Sequence, residues 1–302
     1  MTAVAGSVRD ALGAATDALR AAGVESPRLD AELLLAEATG SGRAELVADG
    51  SASLSPAAGR LFGELVRRRL RREPVAYILG RKGFRQIELA VDRRVLIPRP
   101  ETEMLVELAV EMCPRRLLDV GTGSGAIALA IADELPACEV TATDTSPAAL
   151  EVARANATRL GLRRVRILEG TVPADEGSAG AMAGRGFDLV VANLPYVAES
   201  EWSGLQPEVT KWEPREALVA GPDGLDAYRP LIPRLLGRIS SHPPETNATS
   251  SGLGVPVVGL EVGEGQAGAV AEMLREAGCE EIETRTDLAG IERVVVGRRS
   301  TA

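Results

Sequence analysis

The run Leu117-Leu118-Asp119-Val120-Gly121-Thr122-Gly123-Ser124-Gly125 limits what this chain can fold into more than any other stretch. A short apolar strand enters a turn with glycine at every second position, and the turn passes directly into an apolar segment, Ala126 to Leu135, of helical length. Strand, tight turn and helix in that order open a parallel α/β sheet. Without a Cβ the backbone turns sharply and lets a ligand lie against it near a helix N-terminus. The spacing narrows the ligand. There is no GK[ST] ending, which a phosphate-binding loop needs, and Ala126 stands where a dinucleotide fingerprint has its last glycine. Asp144 closes the next strand, a position from which a carboxylate accepts hydrogen bonds from both ribose hydroxyls. The structural alternative is a plain turn, with Asp144 capping the helix that follows.

Beyond Pro100 strands and helices alternate. Strands are expected at 117–120, 139–143, 165–168, 188–192, 255–262 and 293–296, and helices at 126–135, 147–160, 228–236 and 266–277. This pattern predicts an α/β fold, a Rossmann-like doubly wound sheet over 101–302 that ends in antiparallel strands. Residues 1–75 read as helices only. Leu12, Ala15, Leu19 and Ala22 share one face, Ser26-Pro27 opens a second helix and Ser55-Pro56 a third. That third helix ends in RRRLRRE, expected to be a solvated helix end. Residues 76–100, with VAYILG and FRQIELAVD around Gly80 and Gly83, read as strand pieces of a hairpin linker. The Ser-, Thr- and Pro-rich stretch 240–254 is expected to be a mobile surface loop.

Composition excludes several classes. A net charge of −9 argues against a nucleic-acid partner held by a clustered positive surface. Cys113, Cys138 and Cys279 are far apart and His242 is the single histidine, so neither a zinc site nor a disulfide framework is expected. No metal is called for. No apolar run of membrane-spanning length occurs, which predicts a cytoplasmic protein with no membrane partner.

The strand FDLVVA delivers Asn193-Leu194-Pro195-Tyr196 to its C-terminal end, where open parallel sheets bind ligands. These residue types suit methylation of a flat nitrogen. The lone pair of an amide or aromatic NH2 is delocalised, so it attacks a methyl sulfonium poorly. Two acceptors that take both N–H bonds hold the group and offset the charge that develops on transfer. The Asn193 side-chain oxygen and the Leu194 carbonyl are the candidate acceptors. Pro195 stiffens the turn, and Tyr196 stacks on the planar group. A solvent turn shaped by Pro and Asn is the alternative.

With both motifs in place, the chain resembles the release factor glutamine methyltransferases over nearly its whole length. The resemblance is carried by PRLDAELLLAEATG, REPVAYILG, VLIPRPETEMLVE, LLDVGTGSGAIALA, FDLVVANLPYV, EPREALVAGPDGLDAYR, LEVGEGQ and DLAGIERVV. It implies S-adenosylmethionine as cofactor and the class I peptide chain release factors as partners, methylated on the amide nitrogen of their Gly-Gly-Gln glutamine. It also implies that the helical domain grips the release factor. Gly121, Thr122, Gly123, Ser124, Gly125 and Asp144 would hold the cofactor, Val172 would flank its adenine, and Asn193 would touch both cofactor and substrate. Asn193, Leu194, Pro195 and Tyr196 would form the glutamine pocket. The chain departs from the family pattern at Leu194, usually proline, at Glu169-Gly170-Thr171, where an acidic residue is common, and in the long 240–254 stretch. Two other readings stand beside this one: an adenine-N6 methyltransferase acting on DNA or rRNA, and a non-catalytic assembly factor that keeps the fold.

Overall fold

A computed structural model describes residues 7–172, 186–236 and 255–299. The stretch 240–254, expected to be a loop, and His242 lie outside the described residues. Two compact units form: one holds the chain up to Arg81 together with Gln206–Trp212, the other the remainder.

The first unit is helical. Its elements are α1 (Val8–Ala21), α2 (Pro27–Thr39), α3 (Arg43–Ala48), α4 (Pro56–Leu70) and α5 (Val75–Leu79). Serine caps begin α1 and α4: Ser7 forms a reciprocal capping box with Asp10, and Ser55 accepts from the Ala58 amide. Leu12, Leu19, Leu34, Leu35, Phe62 and Leu65 are buried together between the helices. VAYILG is helix α5, not a strand. Pro74 sets its start and Gly80, in the left-handed region at φ 69°, its stop, while Ile78 enters the helical core. Burial there overrides the strand preference of Val, Tyr and Ile.

The RRRLRRE helix end is not solvated as a whole. Arg67 and Arg71 are exposed, but Arg69 is buried. Its Nε lies 2.7 Å from Asp30 Oδ2 and its Nη1 2.7 Å from Glu208 Oε1. Arg72 donates from Nε to the same Glu208 carboxylate at 2.7 Å, and Arg68 pairs with Glu73. Burial pushes the Glu208 carboxyl up, and the hydrogen bonds from Arg72 and Arg69 outweigh it, so the group sits below the usual carboxylate range. No sequence period shows this network, because Glu208 arrives from far along the chain.

A two-stranded sheet, β1 (Arg81–Phe84) and β2 (Ile87–Ala90), whose first strand begins at Arg81, the last residue of the first unit's N-terminal stretch, precedes α6 (Glu103–Met112) of the second unit. Then come β3 (Arg116–Val120), α7 (Ala126–Glu134), β4 (Glu139–Asp144), α8 (Pro147–Arg159), β5 (Arg166–Glu169) and β6 (Leu189–Ala192). Helix α9 (Pro207–Trp212) belongs to the first unit. The chain ends with α10 (Tyr228–Leu236), β7 (Val257–Glu261), α11 (Ala267–Glu276), β8 (Glu281–Thr286) and β9 (Glu292–Arg298). The large sheet has the order β5-β4-β3-β6-β7-β9-β8. Its first five strands are parallel, and β9 runs antiparallel to both β7 and β8. Strands β6 and β7 are buried throughout, as expected for parallel strands covered on both faces. The chain steps outward from β3 to β5 and returns to place β6 beside β3. This reversal opens a crevice at the strands' C-terminal ends.

Replacing Arg69 with alanine strands Asp30 and Glu208 as buried charges short of a partner, and should destabilise the protein by about 3 to 5 kcal/mol. Chemical denaturation of the full chain measures it, and a loss of under about 1 kcal/mol would show that the network contributes little.

Candidate active site

The parallel pairing of Val120 with Ala192 brings the turn after β3 next to the turn after β6. A cavity at this point is lined by Gly121, Gly123, Asp144, Asn193, Leu194 and Pro195, and further by Gly170 and Thr171. Thr122, Ser124, Gly125, Val172 and Tyr196 are not among its lining residues. Val172 and Tyr196 pack against the apolar cluster around β6, β7 and α10.

The glycine turn is fastened from beneath. The amides of Gly121 and Thr122 both donate to the Thr143 carbonyl, at 2.8 and 2.9 Å. Thr122 Oγ1 donates to Asp119 Oδ2 at 2.6 Å, and the Ala128 amide reaches the same oxygen at 3.2 Å. Gly121 has φ +77°, and a Cβ there would stand 2.8 Å from Leu194 Cδ2. The leucine that departs from the family's proline therefore closes over the glycine, joining the two turns by packing.

Asp144 accepts from the Gly123 amide at 2.8 Å and from the Ser146 amide at 2.9 Å. The cap of α8 is Ser146, whose hydroxyl accepts from the Ala149 amide. Asp144 is thus not needed as the helix cap, and each of its oxygens keeps a lone pair for a ligand.

Asn193 donates from Nδ2 to Thr102 Oγ1 at 3.0 Å. Its side-chain nitrogen is thereby engaged, and Oδ1 remains an acceptor at the cavity wall. The Tyr196 hydroxyl lies 3.4 Å from Glu261 Oε1, and burial followed by the Glu261 charge raises its pKa well above the usual phenol value. The Tyr196 carbonyl accepts from Gln266 Nε2 at 2.8 Å. Gly224 packs so tightly on that carbonyl that a Cβ there would overlap it.

Sequence reasoning missed this supporting ring. Thr102, Gln266 and Gly224 lie in the PRPETE, LEVGEGQ and GPDGLDAYR segments, whose residues carried a resemblance without a role. Glu213 of EPREAL is another case: it accepts from the Ile97 amide at 3.0 Å and pairs with Arg99, tying two of those segments together. For Glu213, a charged residue set beside a proline was the available signal. Among the described residues no group of three or more His, Cys, Asp or Glu could hold a metal ion, and no helix is long and apolar enough to cross a membrane.

Known proteins sharing this pattern decide the family. Residues 10–80 match the PrmC N-terminal domain and residues 117–212 a methyltransferase domain. A release factor glutamine methyltransferase of Caulobacter vibrioides is 41% identical over 289 residues, covering 94% of this chain and 93% of the relative. One from Moorella thermoacetica is 40% identical and covers 97% of this chain and 99% of its own. This chain belongs to the release factor glutamine methyltransferase family. As a member it is an enzyme, a methyltransferase. Among solved structures, the human METTL16 catalytic domain in complex with an RNA hairpin aligns at TM-score 0.53 over 79% of this chain and 83% of its own, with 16% identity. The METTL16 N-terminal domain in complex with SAH aligns at 0.50 over 83% of this chain and 86% of its own, with 15% identity. Both likenesses concern the methyltransferase fold.

Burial lifts the Asp119 carboxyl to about 7 from an ordinary 3.8, against the hydrogen bonds from Thr122 and Ala128. The folded protein holds this proton where the unfolded chain has lost it. The resulting stability is full below the ordinary value and is lost as pH rises through about 7. Asp119→Asn cannot ionise, so its Tm relative to the wild type should climb by several degrees between about pH 5 and about pH 8. A constant difference over that range in calorimetry would contradict the buried-proton reading.

Proposed function

We propose that this chain transfers the methyl group of S-adenosylmethionine to the side-chain amide nitrogen, N5, of the glutamine in the Gly-Gly-Gln tripeptide of class I peptide chain release factors, in the cytoplasm. The observation that carries the reading is the joining, in one cavity, of the Gly121–Gly125 turn and Asp144 with an Asn193 whose amide nitrogen is already engaged by Thr102.

The residues present suit the cofactor. Asp144 keeps acceptor capacity at the wall for ribose hydroxyls, the glycine turn allows close approach, and Gly170 and Thr171 line the cavity just before Val172, the residue expected on the adenine side. When bound, the cofactor supplies a methyl group activated by a sulfonium. This chain's residues do the rest. Asn193 Oδ1 and the Leu194 carbonyl accept the two N–H bonds of the glutamine amide, which orients its lone pair and offsets the positive charge of transfer. Leu194 presents a backbone acceptor, so the change from proline leaves that contact in place. Pro195 holds the turn and Tyr196 covers the planar amide. The proton leaves after transfer, so no strong general base is required beforehand. The helical N-terminal domain serves in gripping the release factor.

Labelled S-adenosylmethionine, incubated with either a release factor or nucleic acid, tests the reading. Label should pass to the release factor and vanish when its Gly-Gly-Gln glutamine is replaced. Transfer to nucleic acid alone would favour adenine-N6 chemistry, and no transfer at all the assembly-factor reading. Asn193→Ala should abolish transfer while S-adenosylmethionine affinity stays within about tenfold. Gly121→Ala should act the other way, weakening cofactor affinity by about tenfold or more, because the new methyl group meets Leu194 and the φ of +77° is strained. Unchanged binding by titration calorimetry would remove the close-approach role of Gly121.

A further inference from the structure

Behind Asn193 lies a buried carboxyl that the methyl transfer does not itself employ. Glu261 ends β7 and is 1% exposed. Ala192 pairs with Leu260 across the parallel strands, so Asn193 and Glu261 stand one step beyond the same rung. Thr102, 4% exposed, stands between them: its hydroxyl accepts from Asn193 Nδ2 at 3.0 Å, and it lies close enough to the Glu261 carboxyl to lower its pKa, while Glu261 Oε2 is buried with no other hydrogen-bond partner among the described residues. Tyr196, the last residue of the tetrapeptide, reaches the same carboxyl through its hydroxyl at 3.4 Å. The Glu261 backbone carbonyl accepts from the Tyr228 hydroxyl, which fastens the strand end to α10.

We infer that Glu261 is a positioning residue that, through Thr102, fixes which end of the Asn193 amide faces the substrate. The reason is the direction of the hydrogen bonds. A hydroxyl has one proton to donate, and an ionised carboxylate can only accept. With Glu261 ionised, the Thr102 proton points to Glu261, leaving Thr102 Oγ1 able only to accept from Asn193. Asn193 must then turn Nδ2 toward Thr102 and Oδ1 away from it. With a neutral donor at position 261, Thr102 is free to give its proton to Asn193, and the amide can flip. A flipped Asn193 presents N–H bonds to a substrate that has only N–H bonds to offer there, and the acceptor is lost. The inference rests on the acceptor role of Asn193 proposed above and adds the group that enforces it.

The surroundings bear on when Glu261 is charged. Burial outweighs the lowering by Thr102 and leaves its carboxyl at about 7, with Glu101 adding to the rise and Tyr196 and Arg293 opposing it more weakly. Tyr196 from the tetrapeptide, Tyr228 from α10, Arg293 from β9 and Glu101 beside Thr102 are the titratable or charged groups facing it. Both tyrosines are held neutral by burial, with the Glu261 charge adding to the effect. The amide is therefore set correctly on the alkaline side of about 7 and released on the acid side.

Glu261→Gln keeps the size of the side chain and supplies a permanent donor. In the full-length enzyme with a release factor as substrate, kcat at about pH 8 should fall about tenfold or more, with S-adenosylmethionine affinity within about threefold. The wild-type kcat should rise with pH through about 7, and this limb should be missing from the variant. Thr102→Val, which cuts the connection, should lose turnover to a similar degree, Thr102→Ser should recover most of it, and Glu261→Gln added to Thr102→Val should cost little more. If Glu261 is merely structural, Glu261→Gln lowers Tm while kcat per folded molecule and the acid limb stay as in the wild type, and that result overturns the inference. So does a double variant whose losses multiply. Asn193→Ala in the same assay separates the levels: retained turnover there ends the acceptor reading itself, whereas a dead Asn193→Ala beside an unaffected Glu261→Gln ends only the role of Glu261.

Discussion

The parallel pairing of β3 with β6 is the constraint on which the second unit's site depends. Two strands, β4 and β5, lie between them in sequence, yet they sit side by side where the order of the sheet reverses. Their registry puts Gly121 and Asn193 at the same level, each one residue beyond the last rung. Leu194 then occupies the space that the missing Cβ of Gly121 leaves open. The site is therefore a consequence of strand order, held by packing between two turns that neither strand could position alone.

Buried polar groups give that position its direction. Asp119 and Glu261 end or nearly end their strands, and both are almost wholly excluded from water. Burial favours the protonated form of each, and hydrogen bonds from Thr122 and Ala128 on one side, and the nearness of Thr102 and Tyr196 on the other, oppose it. Each carboxyl thus grips a turn at the cavity, the first through the glycine loop and the second through the tetrapeptide. In the helical unit a different balance holds. There Glu208 meets two guanidinium groups, which more than offset its burial and keep it charged.

The local chemistry of the chain made much of this legible. Alternating strands and helices beyond Pro100 announce the doubly wound sheet, because parallel strands demand crossovers of that length. Serine-proline pairs mark the starts of α2, α4 and α8, since proline's fixed φ suits a first helical turn. Asp144 and Asn193 stand at strand ends in the cavity wall, as their sequence context suggests. Where the reading failed, a distant residue decided the outcome. VAYILG became helical because Ile78 found its place in a helical core, and the basic run turned inward because Glu208 came to meet it.

By itself, then, the sequence determined the class of the fold, the glycine turn after β3 and the place of Asn193 to Tyr196 at the end of β6. These are properties of short stretches, set by backbone freedom, hydrophobic period and side-chain chemistry. Tertiary structure alone decided which groups stand behind them: Thr102 and Glu261 behind Asn193, Gln266 and Gly224 against Tyr196, Glu213 joining Ile97 to Arg99. Such partners come from segments tens of residues apart. A hydrogen bond acts over about 3 Å, so only the folded chain, which brings those segments within that reach, can choose them.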